Sequence, residues 1–198
     1  MMYRYISICT VVAFELAHAE NFEVKIQRMT HPGPSRHQLT STAGTTIDLK
    51  GQTNIAYTGP VFFGSPLQGT NSSVFLYDSG SGYLMVTESG CSTCTTQYFN
   101  TTKSQTHSNS TTYTANAMGY GSAKFSGYMA TDLVCLSDYN QGSSCVDNFD
   151  FFVVTKQSGM INGVDGILGL GPPVKANGPS YVQNLYLGGV ISEPVVSF

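Results

Sequence analysis

Val74-Phe75-Leu76-Tyr77-Asp78-Ser79-Gly80-Ser81-Gly82-Tyr83-Leu84-Met85-Val86 places one carboxylate between two apolar runs. Short apolar runs bounded by Gly and Ser read as buried strands joined by a turn. Asp78 then sits on a turn that leaves one buried strand and leads at once into another, which holds an acid rigidly at the floor of a cleft. Gly80 and Gly82 let the chain bend sharply and let a second backbone or a ligand come close. Ser79 and Ser81 can donate hydrogen bonds to the carboxylate and keep it ionised. An ordinary Asx turn between strands would use the same residues, so the rest of the chain decides between the two readings.

With 198 residues the chain can form one domain with a sizeable core, or a leader followed by a domain of ordinary size. Charged residues are 11% of the sequence, against about 25% in an average globular domain. Gly, Ser, Thr, Asn and Tyr are plentiful instead, which favours short strands and turns over surface helices. The expected fold class is all-β. A net charge of -3 leaves no basic stripe for phosphates and argues against nucleic acid as a partner.

Arg4 precedes the apolar run Tyr5 to Phe14, and Ala17-His18-Ala19 precedes Glu20. A positive start, a short apolar run and a small-x-small site read as a signal peptide over residues 1–19, with Glu15 as a blemish. The run is shorter than the ~20 residues of a spanning helix, and no later segment is long and apolar enough. The expected route is the secretory pathway, ending outside the cell or in a lysosome- or vacuole-like compartment, with no membrane attachment after cleavage. Asn71-Ser72-Ser73, Asn100-Thr101-Thr102 and Asn109-Ser110-Thr111 are acceptor sequons that suit this route.

Loss of the leader removes Cys9 and leaves Cys91, Cys94, Cys135 and Cys145, an even number suited to an oxidising compartment. Pairing Cys91 with Cys94 and Cys135 with Cys145 is favoured, because each pair lies within one local turn or hairpin. Cys91-Ser92-Thr93-Cys94 also fits a redox or zinc motif. A redox site wants a helix start in a βαβ unit, and a zinc site would need Cys135 and Cys145 at the same point. No metal or cofactor is therefore expected.

Residues 20–53 differ in character from the remainder of the chain. Phe22 to Arg28 is a short amphipathic strand-like piece, and His31-Pro32-Gly33-Pro34-Ser35-Arg36-His37 is a basic, proline-broken linker. From Tyr57 strand patterns become dense, with Tyr57 to Gln68 reading as a strand that ends in a Gly64-Ser65-Pro66 turn. Thr95 to Thr112 is polar, lacks alternation and reads as loop. Tyr113 to Leu136 reads as a strand pair with its tip near Ser122-Ala123-Lys124. Pro179 to Leu187 reads as a short helix stopped by Gly188-Gly189, and Val195-Val196-Ser197-Phe198 as the start of another strand.

Three motifs in order carry a resemblance to the pepsin-like (family A1) aspartic peptidases. Tyr77-Asp78-Ser79-Gly80-Ser81 resembles their first active-site motif. Tyr120-Gly121-Ser122, with Phe125-Ser126-Gly127-Tyr128 and Asp132, is similar to their flap, and Tyr120 stands 42 residues after Asp78. Val164-Asp165-Gly166-Ile167-Leu168-Gly169-Leu170-Gly171 resembles the segment that threads beneath the catalytic loop, with no catalytic role for Asp165. The resemblance covers roughly Tyr57 to Phe198. It implies an acid-protease fold with a single N-terminal lobe over residues 54–198, a flap hairpin and a short helix. It further implies an aspartic endopeptidase with Asp78 in a catalytic dyad, Ser79, Gly80 and Ser81 as support, Tyr120, Gly121 and Ser122 over bound peptide, and a zymogen. Residues 20–53 would then be a basic propeptide or an N-terminal arm; Lys25, Arg28, Arg36 and Lys50 supply four of the nine Lys and Arg residues.

Gly82 stands where a second Ser is usual in that family. Met85 stands where Trp is common, and the chain has no Trp; this removes a common hydrogen-bond link to the flap Tyr. No second Asp-Thr-Gly or Asp-Ser-Gly is present, so one chain supplies half of a dyad. Three expectations remain open: a peptidase truncated before its second lobe, a homodimer in which each copy gives its Asp78, or a secreted non-catalytic peptide-binding lobe. Tyr120, Phe125 and the residues near Met160 and Ile161 suggest a cleft for bulky apolar side chains.

Overall fold

The computed structural model describes residues 21–25, 46–52, 56–138, 144–160, 163–173 and 178–196. The expected signal peptide, the proline-broken linker and Ile161 lie outside them. The strands are β1 (Asn21–Lys25), β2 (Thr46–Gln52), β3 (Ala56–Gly59), β4 (Phe62–Phe63), β5 (Phe75–Asp78), β6 (Leu84–Thr87), β7 (Ser108–Asn109), β8 (Ala117–Tyr120), β9 (Ala123–Cys135), β10 (Cys145–Ser158) and β11 (Gly166–Gly169). They form one sheet in the order β1-β2-β3-β5-β11-β6-β10-β9-β4, with β7 and β8 attached to β9. One helix, α1 (Tyr181–Leu187), comes after the last strand. Among the described residues, strands with one short α-helix are the all-β class expected from the sequence.

The central strands are apolar throughout because both of their faces are covered. Phe75, Tyr77, Leu84, Val86, Phe149, Phe151, Val153 and Leu168 face one buried cluster, while Leu76, Met85, Phe152, Val154 and Ile167 face a second. The alternation is the two-residue period of a strand. In the first cluster Phe63 packs 5.0 Å from Phe151 and 5.4 Å from Phe99, centroid to centroid. Tyr181 of α1 closes this cluster, its hydroxyl sharing one proton between the carbonyls of Val134 and Ser144. Ser180 caps α1 by accepting from the Gln183 amide at 3.4 Å, so Ser180, with Pro179 before it, starts the helix.

Thr95–Thr112 is not simply loop. Thr101–Lys103 forms a 3-10 turn capped by Asn100, and β7 pairs with β9. Side chains replace the missing apolar pattern: Ser104 Oγ accepts from the Ser65 amide at 3.1 Å, and Thr106 donates to buried Asp132 on β9. The strand pair begins later than expected, at Ala117, and its tip is Gly121-Ser122, one residue earlier than expected. Gly121 takes φ +56°, which a side chain disfavours, and this places the turn there. Val195 and Val196 are not strand, and Ser197 and Phe198 lie outside the described residues. The cysteine pairing is as favoured, Cys91 with Cys94 and Cys135 with Cys145, the latter joining the ends of β9 and β10.

Candidate active site

Asp78 is the last residue of β5, and the chain turns from it back into β6 through residues 79–83. β11 lies between the two strands, parallel to β5 and antiparallel to β6. Beyond β11 its backbone continues to brace the turn: the Leu170 amide donates to the Asp78 carbonyl, and the Gly171 amide to the Ser81 carbonyl, each at 2.8 Å. A side chain on Gly169 would collide with the backbone of Tyr83 and Ser81, so close nesting of the two loops requires glycine there. The carboxylate is therefore fixed by backbone bonds from two directions.

The carboxylate itself is held by the backbone and not by the two serines. The Gly80 amide donates to Asp78 Oδ1 at 2.9 Å. Ser79 is exposed, and Ser81 Oγ is buried without a hydrogen-bond partner. This corrects the expectation that both hydroxyls serve the carboxylate; the tight turn brings an amide to Oδ1 first. Asp78 Oδ2 is buried, and the Tyr120 phenol is the hydrogen-bonding neighbour of the Asp78 carboxyl. The backbone thus anchors one oxygen of the carboxylate.

The hairpin β8–β9 brings Tyr120 to this carboxylate. Tyr120 ends β8 and packs on the cluster that holds Tyr83, Met85 and Met118, while Gly121 and Ser122 project into solvent. The Tyr120 phenol pKa is raised, first by burial, then by the charge of Asp78 and by a hydrogen bond with it. Tyr83 is raised first by burial, then by Asp78 and Tyr120. Three groups thus converge, of which the motifs had marked Asp78 and Tyr120. Tyr83 was missed, because a tyrosine after a glycine in a strand-like run carries no signal of its partner. Phe125 is buried in register with Met118 and supports the hairpin from below, so it lines no open cleft.

Asp165 serves the far end of β5. Its Oδ2 accepts from the Val74 amide at 2.8 Å, on the other side of the strand from the Asp78 turn. Its pKa is raised by burial, against the lowering effect of bonds from Val74 and Thr96. A carboxyl whose folded pKa exceeds its unfolded value holds its proton longer when folded, so its contribution to stability falls as pH rises from about 4 through the folded pKa. Asp165→Asn is expected to flatten that part of the stability–pH curve while keeping the acceptor for Val74. Urea unfolding between pH 3 and 7 checks this, and an unchanged slope would refute it.

No helix among the described residues is long and apolar enough to cross a membrane. Comparison with curated proteins gives no match. The family model of the eukaryotic aspartyl proteases matches residues 56–198, the span that holds the Asp78 turn, the Tyr120 hairpin and the bracing strand, and the chain belongs to that family.

Proposed function

We propose that this chain is the N-terminal lobe of an aspartic endopeptidase of the secretory pathway. The observation that carries the reading is Asp78, anchored through Oδ1 by the Gly80 amide, with its buried carboxyl beside the Tyr120 phenol. In this reading Asp78 shares one proton with a second aspartate across the cleft, since two adjacent carboxylates resist joint ionisation, as holds for aspartic proteases in general. The ionised carboxylate takes a proton from water as the oxygen attacks the peptide carbonyl, and the protonated one donates to the carbonyl oxygen. Collapse of the diol returns a proton to the leaving amine. Gly80 fixes Asp78, Ser79 and Ser81 line the turn, and Tyr120, Gly121 and Ser122 fold over peptide backbone.

The sequence holds a single Asp-Ser-Gly and no Asp-Thr-Gly, so the second carboxylate comes from another lobe, in a longer chain or a second copy. The test is hydrolysis of a peptide at acidic pH, with and without that lobe, in the presence and absence of a statine-type transition-state mimic. Hydrolysis by a verified monomer of this lobe, or hydrolysis indifferent to the mimic, would refute the dyad reading.

Residues 20–53 fit a propeptide. β1 pairs with β2, and β2 pairs with β3 beside β5, so the segment joins the sheet that carries Asp78. Asn71 and Asn109 are exposed, and Asn100 Oδ1 accepts from Thr102. Secreted protein is expected to carry glycans at Asn71 and Asn109 and to lose residues up to about Lys50 on acidification. Peptide mapping and amino-terminal sequencing check both; unmodified Asn71 and Asn109, or active enzyme that still starts at Glu20, would contradict them.

A further inference from the structure

We propose that Tyr83 is the positioning residue that holds the Tyr120 hairpin closed over Asp78, through the hydrogen bond from its hydroxyl to the Gly119 carbonyl at 3.0 Å. This rests on the peptidase reading of the site. Met85 lies in the same cluster as Tyr120, and its thioether cannot donate a hydrogen bond to the hairpin. Met85 is 1% exposed and fills space in the cluster beneath the hairpin without anchoring it.

Tyr83 is placed to do so. Its backbone is fixed, because the Gly169 amide donates to the Tyr83 carbonyl at 2.8 Å. Its ring is 6% exposed, packed in the cluster that Met118 and Tyr120 also join. Its hydroxyl reaches the residue directly before Tyr120. Among the described residues β8 pairs with β9 alone, and its turn consists of small exposed residues, so the hairpin needs a tie to the body of the lobe. The Tyr83 bond runs from the Asp78 turn to the strand that carries Tyr120, and couples the position of the carboxylate to that of the hairpin. Opening of the hairpin breaks it and takes Tyr120 away from Asp78.

The test is Tyr83→Phe in the full chain, which keeps the ring and removes one donor. Native-state hydrogen exchange at the amides of residues 119–123 is expected to quicken by ~3- to 10-fold, the size of one net hydrogen bond, with the amides of Phe151–Val154 unchanged. The Tyr120 phenol, followed by NMR of labelled tyrosine, is expected to titrate nearer its ordinary value, because the opened hairpin exposes it to water and removes it from Asp78. Unchanged exchange at 119–123 overturns the proposal. So does equal acceleration in β10, which would mark general destabilisation, or an unmoved Tyr120 titration. None of these readouts needs catalysis, so a failure of the peptidase reading would be seen separately in the hydrolysis assay.

Discussion

Asp78→Asn is expected to lower kcat/KM for peptide hydrolysis by at least ~100- to 10,000-fold, the range typical of one positioned acid or base, in enzyme that has its second carboxylate. The amide is nearly isosteric with the carboxylate and keeps an oxygen for the Gly80 amide, so the turn retains its shape. The variant loses the ability to exchange a proton at the atom now occupied by Oδ2. Because the two carboxylates act as a unit, removing one should cost most of the effect of both. The loss should fall on kcat more than on KM if, as proposed, the hairpin and the cleft walls hold the peptide. An unchanged melting temperature would show that the fold survives. Hydrolysis within a few-fold of the parent protein would remove Asp78 from the chemistry.

The fold was legible where strands bury both faces. Phe75-Leu76-Tyr77 and Leu84-Met85-Val86 are continuous apolar runs because clusters lie on both sides of the sheet, and Gly and Ser between them mark the turn. The cysteine pairs were legible because each closes a short local loop. The segment 95–112 was not, since its order comes from single bonds such as Ser104 to Ser65 and Thr106 to Asp132, which leave no periodic trace. At the site, Asp78 and Tyr120 were visible as motif residues. Their partners were not: a backbone amide displaced the serine hydroxyls from Oδ1, and Tyr83 meets Gly119 across 36 residues of chain.

Departures from a family pattern can be read as noise until the neighbouring backbone is seen, and Gly82 is the case that tests this. A Cβ at Gly82 would fall far inside the van der Waals radius of the Pro172 carbonyl oxygen, with the Gly171 carbonyl also close. The obstacle is backbone, which cannot rotate aside as a side chain can. To admit a Ser, the Gly171–Pro172 segment must move away, and the Gly171 amide bond to the Ser81 carbonyl moves with it. Gly82→Ser, although it restores the residue usual in the family, is therefore expected to destabilise this lobe by ~1–3 kcal/mol, the ordinary cost of overpacking. That is a large share of the ~5–15 kcal/mol that holds a domain together, and corresponds to a fall in Tm on the order of 5 °C. Gly90 provides the control, because it is exposed and a Cβ there would meet nothing within 4 Å. Gly90→Ser should stay within about 0.5 kcal/mol of the parent, as surface changes usually do. Equal melting temperatures for the two variants would show that the 171–172 segment yields freely, and that the Asp78 turn is not braced from that side.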